Sequence, residues 1–333
     1  MTITPEYRQC PATHRWVILA PERAARPVQL QHLEVHHRRE QILSAADCPL
    51  CVGMEHDTPD EVYALRVAGS TPNGPGWQLR VVPNKFPAVR PDVGSAGYGL
   101  HELVIETNRH VTNPTDLTIA EQAEVLWAYR QRLVSYREDA RLHVATVFKN
   151  VGAEAGASLA HVHSQIIATT VVPMELANEL HVAKEFNKTH GGCLYCDMMH
   201  KELTSGSRIV LESAHFIVLC PFAPRQAYEC WVFPKAHASH YESITRDRCR
   251  ELAEVLQQVF RALDNVLHEP AYNWFLHTAP LQADATIPYH WHIEVAPRTA
   301  RAAGFELATG MYINAVSPEV AAEQLRHSIK PTP

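Results

Sequence analysis

Cys48-Pro49-Leu50-Cys51, followed by His110 and by His161-Val162-His163, is a pattern that this chain contains twice. In the second copy the corresponding residues are Cys193-Leu194-Tyr195-Cys196, His237 and His290-Trp291-His292. Each copy provides two cysteines separated by two residues, one single histidine and an H-x-H pair. Four of these residues make a Cys2His2 metal-ligand set, and one histidine is left over. The extra histidine indicates chemistry in addition to structure.

The composition is typical of a globular protein with one or two domains, because the chain has 333 residues and 46% of them are hydrophobic. The formal net charge of −6 argues against the general positive field that attracts nucleic acid. The sequence has no apolar run of about 18 residues that would span a membrane, and its first residues have no basic or apolar signal segment. We expect a cytoplasmic protein that binds neither nucleic acid nor membranes.

The eight cysteines favour metal binding over disulfides. Four of them form the two C-x2-C pairs, and close pairs in a large chain without a secretion signal more often bind metal. Zinc takes four soft or borderline ligands in a tetrahedron. The sequence therefore predicts two zinc ions per chain, one held by Cys48, Cys51, His110 and His161 and the other by Cys193, Cys196, His237 and His290. The alternative interpretation is that these cysteines are reduced residues of the core and these histidines are ordinary surface residues.

The repeat extends into the predicted secondary structure. Residues 101–105 and 228–233 are typical of short strands that lead to the single histidines, and Thr118 and Thr245 each open a helix. Further strands are predicted over residues 144–149, 165–168, 273–277 and 293–296, a helix over 174–186, a polar loop over 69–76 and irregular or weakly helical structure over 25–47. Each half is a meander with a crossing helix, which predicts an α+β fold with mostly antiparallel sheets. The halves are residues 1–180 and 181–333.

The extra histidine of the first copy, His163, has the surroundings of a phosphate site. Residues two apart on a strand point to the same side, so a metal-bound His161 would present His163 beside it and Gln165 one step further. The small-residue loop over 150–158, which contains Ser158, lets backbone N–H groups approach an anion. A neutral imidazole that attacks phosphorus among such donors is nucleophilic catalysis. The alternative is that His163 is a third histidine of the metal shell.

The second copy carries Glu294 where the first carries Gln165, two residues after the last histidine of the H-x-H pair. A carboxylate at that position would repel a nucleotide phosphate. We therefore expect only the first half to be catalytic and the second half to be a scaffold.

Two proline-bounded turns carry cations. The first contains Arg23 and Arg26, and the second contains Asn84 and Lys85. Each turn could bind an anionic ligand, although each on its own is more typical of a solvated basic turn.

Together these residues resemble the galactose-1-phosphate uridylyltransferase family, a branch of the histidine triad superfamily. The resemblance runs from about Trp16 to Arg326 and rests on H-V-H-S-Q after G-A-S, on the VVPNKFP turn, on Phe148-Lys149-Asn150 and on the HWHIE strand. It implies two tandem histidine-triad-like halves. It also implies ping-pong transfer of a nucleoside monophosphate from a nucleotide sugar such as UDP-glucose to a hexose 1-phosphate such as galactose 1-phosphate, through a nucleotidyl-histidine.

The resemblance also implies roles by position. His163 matches the nucleophile, and Gln165 and Ser158 match groups that bind the phosphate. Contacts with nucleotide or phosphate are implied for Arg23, Arg26, Asn84, Lys85, Asn150 and Gly156. The first Cys–His set matches the zinc ligands, and because many family members are dimers, a homodimer is compatible with the sequence.

Other features are closer to a sister enzyme, ADP-glucose phosphorylase, which uses inorganic phosphate as the acceptor and carries a second zinc site. They are the second cysteine pair, the residues before His237 and the tail over 304–314. In contrast, Glu179, His277, His290 and His292 match the second metal site of uridylyltransferases. Both second-site sets contain His290 and therefore compete, and we favour the cysteine set because thiolates bind zinc strongly.

Two other functions stay open from the sequence. A zinc-dependent nucleotide hydrolase would need an open metal position that activates water. A zinc scaffold would bind nucleotides or protein partners without catalysis. The sequence also leaves the base of the nucleotide and the acceptor phosphate undecided.

Overall fold

The computed structural model describes residues 4–25, 47–94 and 96–329. Arg26 and most of the segment predicted to be irregular or weakly helical lie outside these ranges. Among the described residues there are thirteen strands, which are β1 Glu6–Gln9, β2 Trp16–Leu19, β3 Tyr63–Arg66, β4 Trp77–Pro83, β5 Gly99–Ile105, β6 Val144–Val151, β7 His163–Thr169, β8 Ile209–Glu212, β9 Phe216–Leu219, β10 Cys230–Pro234, β11 Tyr272–His277, β12 His292–Pro297 and β13 Tyr312–Asn314. The α-helices in the same ranges are α1 Ile119–Tyr136, α2 Met174–His190, α3 Leu194–Ser205, α4 Arg246–Leu267, α5 Gly304–Thr309 and α6 Pro318–Ser328.

Ten of the strands form one antiparallel sheet in the order β3-β4-β5-β7-β6-β11-β12-β10-β9-β8. Outward from its centre, the first half of the chain contributes β6, β7, β5, β4 and β3. The second half contributes β11, β12, β10, β9 and β8, which is the same order. The predicted α+β class and the internal repeat are therefore both present. The halves share a single sheet, because β6 pairs with β11 with Phe148 opposite Phe275.

The two crossing helices, α1 and α4, pack against each other and contribute to one large hydrophobic core with the sheet. Thr118 caps α1 in a full capping box with Glu121, as its sequence predicts. Thr245 caps α4, and its hydroxyl oxygen accepts a hydrogen bond from the backbone N–H of Arg248. The buried side of α4 carries apolar residues at helical spacing, among them Leu252, Leu256 and Leu263.

The two H-x-H pairs lie at the starts of strands, and the prediction that both histidines of each pair occupy the strand is wrong. β7 begins at His163 and β12 begins at His292, so His161 and His290 precede the ladder. Each of these earlier histidines turns its Nδ1 toward a cysteine pair and its Nε2 toward a backbone carbonyl. That orientation separates the metal-facing histidine from the histidine on the strand.

A small second sheet joins the two ends of the described chain. β1 is antiparallel to β2, and β13 is parallel to β2 with Ile313 opposite Ile18. The helix α2, predicted over 174–186, continues to His190 and ends at Gly191, whose φ of +72° suits glycine. None of the helices in the described ranges has both the length and the apolar character needed to cross a bilayer.

Candidate active site and metal centres

The first Cys–His set is assembled as a compact cluster. Its four ligand atoms all lie within 4.8 Å of one another. Cys51 Sγ is 3.2 Å from His110 Nδ1 and 3.5 Å from His161 Nδ1, and Cys48 Sγ is 3.7 Å from His161 Nδ1. In a zinc tetrahedron the sulfur–nitrogen edge is about 3.6 Å, given the usual bond lengths. The geometry therefore fits zinc.

The surroundings of this cluster favour a bound cation. His161 donates its Nε2–H to the backbone oxygen of Thr107 at 2.9 Å, the carbonyl contact that commonly orients a metal-binding histidine. Burial lowers the pKa of His161 to about 4, so the ring is neutral and Nδ1 has a lone pair. Burial and the neighbouring Cys48 raise the pKa of Cys51 to about 12. Two thiolates share this site only when a cation offsets their charge.

The second Cys–His set repeats the first. Cys196 Sγ lies 3.6 Å from His237 Nδ1 and 3.5 Å from His290 Nδ1, and His290 donates its Nε2–H to the oxygen of Pro234 at 2.9 Å. A hydrogen bond with Cys196 lowers the pKa of Cys193 to about 4. The four ligand atoms again lie within 4.8 Å of one another. This set also fits a tetrahedral metal ion.

The two proposed second-site sets do not compete for His290, and the expectation that they do is wrong. Glu179, His277 and His292 cluster with Glu294 instead, and their ligand atoms also lie within 4.8 Å of one another. His290 precedes the strand and turns to the cysteines, whereas His292 and Glu294 are two apart on β12 and share a face. Glu294 is in addition ion-paired with Arg225. The second half thus takes part in two distinct clusters, one of which also contains Glu179 of the first half.

One ring nitrogen of His163 is engaged in a hydrogen bond. Its Nδ1 lies 2.8 Å from the backbone oxygen of His161. A carbonyl oxygen only accepts, so Nδ1 carries the proton and Nε2 keeps its lone pair. Burial lowers the pKa of His163, which favours the neutral ring. His292 in the second half makes the same contact with His290 but is fully buried, at 0% exposure against 6% for His163.

A cavity of about 280 Å³ opens beside His163. It brings together three residues that the sequence assigns to the site, His163, Ser158 and Asn150. The remaining lining comes from β6 and the loop after it, from the segment after His110 and from the residues just after α4. These residues are Thr112, Asn113, Pro114, Asp116, Lys149, Val151, Gly152, Ala153, Ala157, Leu159, Ala160, His161, Val162 and Glu269. The cavity therefore offers space for a ligand beside the imidazole of His163.

The loop between β6 and β7 is shaped by two glycines. Gly152 and Gly156 have φ values of +85° and +91°, a conformation that other residues adopt only with strain. The N–H groups of Ala155, Gly156 and Ala157 donate to carbonyls inside the loop. These three groups therefore hold the loop and do not cradle an anion, contrary to the sequence expectation for them.

Gln165 and Asn84 meet each other and a third residue, His101. Asn84 Nδ2 lies 3.4 Å and His101 Nε2 lies 2.7 Å from Gln165 Oε1. Gln165 and His163 are two apart on β7 and lie on the same face of the sheet. Both predicted residues are thus on the side of the sheet that carries His163.

The remaining predicted contacts are less close to this centre. Lys85 donates from Nζ to the backbone oxygen of Asp57 at 3.3 Å. Arg23 lines a separate cavity with residues of β2 and β13. Arg26 lies outside the described residues.

Sequence reasoning missed His101, Asn273 and the buried ion pair of Lys149 with Glu106. Asn273 donates from Nδ2 to Asn150 Oδ1 and to the oxygen of Ala155, both at 2.8 Å. Lys149 lines the cavity, and Glu106 is held further by the hydroxyl of Tyr129 at 3.3 Å. The only signal for His101 and Glu106 was their place on, or just after, the strand that precedes His110.

Comparison with sequence families gives a match to a domain of unknown function, DUF4921, over residues 99–331. ADP-glucose phosphorylase of Arabidopsis thaliana is 33% identical and covers 97% of this chain and 93% of that protein. Galactose-1-phosphate uridylyltransferase of Thermotoga maritima is 27% identical over 97% of this chain and 98% of that protein.

Solved structures give the same result. The crystal structure of the Arabidopsis thaliana ADP-glucose phosphorylase with bound ADP-glucose has a TM-score of 0.84 at 33% identity and covers 97% of this chain and 99% of that one. A uridylyltransferase structure has a TM-score of 0.74 at 27% identity and covers 98% of both chains. The similarity extends over the whole length of the relatives, so it includes both halves.

Proposed function

Because the chain belongs to the galactose-1-phosphate uridylyltransferase family, we propose that it is a nucleotidyltransferase that works through a covalent nucleotide on His163. It moves a nucleoside monophosphate from a nucleotide sugar to a phosphorylated acceptor. One observation carries this proposal. His163 donates a hydrogen bond from Nδ1 to the backbone oxygen of His161, and its Nε2 keeps a lone pair in a ring that lines a cavity.

The reaction has two balanced steps. In the first, His163 Nε2 bonds to the α-phosphorus of the nucleotide sugar, and the bond from that phosphorus to the bridging oxygen breaks, so that a sugar 1-phosphate leaves with its electron pair. In the second, an oxygen of the acceptor phosphate bonds to the same phosphorus, and the bond to Nε2 breaks. His163 returns to the neutral ring, and Nδ1 keeps its proton throughout.

The remaining site residues act on the phosphoryl group or hold the ligand. Gln165 and Ser158 donate to phosphoryl oxygens as charge develops there, which is the main source of stabilisation in such transfers. Nucleotide or phosphate contacts are assigned to Asn84, Lys85, Asn150, Arg23 and Arg26, whereas Gly156 shapes the loop through its φ of +91°. For Arg23 and Arg26 this assignment rests on sequence position alone.

We assign two zinc ions to each chain, one in each half, with the halves divided at residue 180. The first would be held by Cys48, Cys51, His110 and His161, and the second by Cys193, Cys196, His237 and His290. When bound, the first ion supplies a rigid anchor for His161, whose carbonyl holds the His163 ring. The unpaired state of all eight cysteines suits a reducing compartment such as the cytoplasm.

Hydrolysis by a zinc-bound water is the weaker alternative. Each Cys–His cluster already offers four protein ligands, whereas a hydrolytic zinc keeps one position open for water. A scaffold without catalysis would not need a histidine lone pair beside a cavity.

Two donor and acceptor pairs are candidates. UDP-glucose with a hexose 1-phosphate such as galactose 1-phosphate is supported by the uridylyltransferases, which align over 97% of this chain. ADP-glucose with inorganic phosphate is supported by the higher identity and TM-score of the phosphorylase and by the second cysteine pair. Both pairs use the same chemistry at His163.

The proposal is tested by incubating the zinc-loaded protein with UDP-glucose or ADP-glucose carrying a radiolabelled α-phosphate. An acid-labile, base-stable adduct on the wild type that His163→Ala abolishes is the expected result. An adduct that persists in His163→Ala, or no adduct with either donor, would refute the histidine mechanism. Galactose 1-phosphate or inorganic phosphate is then added to the isolated adduct. The compound that releases the label is the acceptor.

A further inference from the structure

We propose that His101 is a positioning residue that fixes the carboxamide of Gln165 with its NH2 group toward the phosphoryl group on His163. This inference rests on the nucleotidyltransferase function proposed above and assigns a role to a residue outside the predicted site. The argument depends on which face His101 occupies, on which ring nitrogen carries its proton and on what else contacts Gln165.

His101 and His163 belong to the same face of the sheet. β5 and β7 are antiparallel neighbours in which His101 is opposite Ile167, Leu103 is opposite Gln165 and Ile105 is opposite His163. Opposite residues of an antiparallel pair project to the same side, and so do residues two apart on one strand. His101, Gln165 and His163 therefore lie on one face of the sheet, with His101 diagonal to Gln165.

The backbone of the turn over 84–88, which lies between β4 and β5, sets the proton of His101. The N–H of Ala88 donates to His101 Nδ1 at 3.0 Å. A backbone N–H only donates, so Nδ1 is the acceptor and a neutral ring carries its proton on Nε2. Nε2–H lies 2.7 Å from Gln165 Oε1 and donates to it.

The same turn orients a second donor. The N–H of Phe86 donates to Asn84 Oδ1 at 2.9 Å, which leaves Asn84 Nδ2 on the opposite side of that amide. Asn84 Nδ2 lies 3.4 Å from Gln165 Oε1 and 3.2 Å from His101 Nε2. Two donors therefore converge on one oxygen, and a backbone N–H of the turn over 84–88 fixes the orientation of each.

These contacts allow one orientation of the Gln165 amide. A reversed amide would place its NH2 group against two other donors and would leave its oxygen toward the incoming phosphate. With Oε1 occupied, the NH2 group of Gln165 is held on the free side of the carboxamide. An arrangement made before the substrate binds is what makes a donor effective during charge development.

The test is the rate of single-turnover labelling of His163, measured with whichever of UDP-glucose or ADP-glucose labels the wild type. The variants are His101→Ala, His101→Gln, Gln165→Ala and His101→Ala/Gln165→Ala. The amide nitrogen of glutamine reaches the place of His Nε2, so His101→Gln keeps the donor and is the matched control. Zinc content and melting temperature of each variant verify folding.

We expect His101→Ala to slow labelling about tenfold to hundredfold, which is less than the roughly hundredfold to thousandfold loss on outright removal of a charge-stabilising donor. His101→Gln should stay close to the wild type. The double variant should be no slower than Gln165→Ala, because His101 acts through Gln165. Losses that multiply in the double variant, or a His101→Gln variant as slow as His101→Ala, would overturn the inference.

If His101→Ala does not fold, His101→Asn replaces it, since its amide is too short to reach Gln165. A His101→Asn variant that is labelled as fast as His101→Gln would then overturn the inference. An unlabelled wild type would instead refute the proposed function, and the inference with it.

Discussion

The side chain of Asn273 on β11 donates to the side-chain oxygen of Asn150 on β6, and the two atoms are 2.8 Å apart. The same Asn273 nitrogen also lies 2.8 Å from the backbone oxygen of Ala155. A residue of the second half thus holds both a wall of the His163 cavity and the loop that closes it. The second half supports the cavity beside His163 through this contact.

Replacing Asn273 with alanine should slow nucleotide transfer while zinc binding stays intact. The change leaves Asn150 Oδ1 and the Ala155 carbonyl without their shared donor, and a lost hydrogen bond of this kind costs about 1–3 kcal/mol. If about 1.4 kcal/mol of that loss is felt in the transition state, kcat/KM falls about tenfold. Steady-state kinetics with the preferred donor and acceptor measure it.

Asn273→Asp is the matched control, since it keeps the shape and replaces the donor with acceptor oxygens. It should be slower than Asn273→Ala, because a carboxylate would face two other acceptors. Wild-type kinetics in both variants would show that the loop is held in place without Asn273.

Substitutions in the two Cys–His clusters should have different effects on the labelling of His163. The wild type should contain close to two zinc ions per chain, and Cys48→Ser and Cys193→Ser should each contain one. Only Cys48→Ser should lose labelling of His163, because its cluster includes His161, whose carbonyl holds the catalytic ring. Elemental analysis and labelling are measured on the same samples.

Cys249→Ser serves as the control, since Cys249 is buried on α4 and belongs to neither cluster. It should keep both ions and full labelling. One ion or none in the wild type, or equal loss of labelling in both cluster variants, would contradict the assignment.

The sequence predicted those features of the structure that depend on residues close together in the chain. The capping box at Thr118, the cap at Thr245 and the helical spacing that follows each give α1 and α4, because the cap and the apolar stripe lie within a few residues of each other. The paired Cys–His sets were predicted as well, since their spacing is repeated along the chain. The alternation around β7 likewise placed Gln165 on the side of His163.

Contacts that depend on strand register could not be predicted in this way. The contact of His101 with Gln165 exists because β5 and β7 pair in one register, and Asn273 reaches Asn150 because the halves join through β6 and β11. The repeat also misleads where equal spacing along the chain does not give equal places in the sheet. Glu102 and Glu229 have the same offset from His110 and His237, but Leu103 lies opposite Gln165 and Trp231 lies opposite Glu294, so the sheet aligns Glu102 with Cys230. Glu102 accordingly pairs with Arg132 of α1, whereas Glu229 pairs with Arg225.

The capping box of α1 should make the free energy of unfolding depend on pH in the acidic range. Burial alone raises the pKa of Glu121, but hydrogen bonds from Arg109, Thr118 and Thr107 lower this pKa to about 2 from its ordinary 4.5. A carboxylate with a lowered folded pKa contributes stability that is complete above pH 4.5 and is lost as the pH falls toward 2. Glu121→Gln should therefore be less stable by about 1 kcal/mol at pH 7.

Denaturant unfolding of wild type and Glu121→Gln at several pH values measures this difference. It should be constant between pH 6 and 8 and shrink below pH 4.5, which is the window set by the two pKa values of Glu121. A difference that does not change between pH 7 and pH 3 would assign the loss to the shape of the side chain rather than to its charge.

The pair of Glu102 and Arg132 should be a strong determinant of stability on the helix side of the sheet. Arg132 on α1 donates from Nε and Nη2 to the two carboxylate oxygens of Glu102 at 2.8 and 2.7 Å, and the Glu102 side chain is only 4% exposed. Arg132→Met would leave that carboxylate buried without a cation, which costs about 3–5 kcal/mol. The double variant Glu102→Gln/Arg132→Met removes the charge and should recover at least half of the loss. Denaturant unfolding of both zinc-loaded variants at pH 7 tests this. Equal destabilisation of the single and double variants would assign the loss to the contact of the Arg132 guanidinium with the ring of Tyr136 within α1, rather than to the ion pair with Glu102.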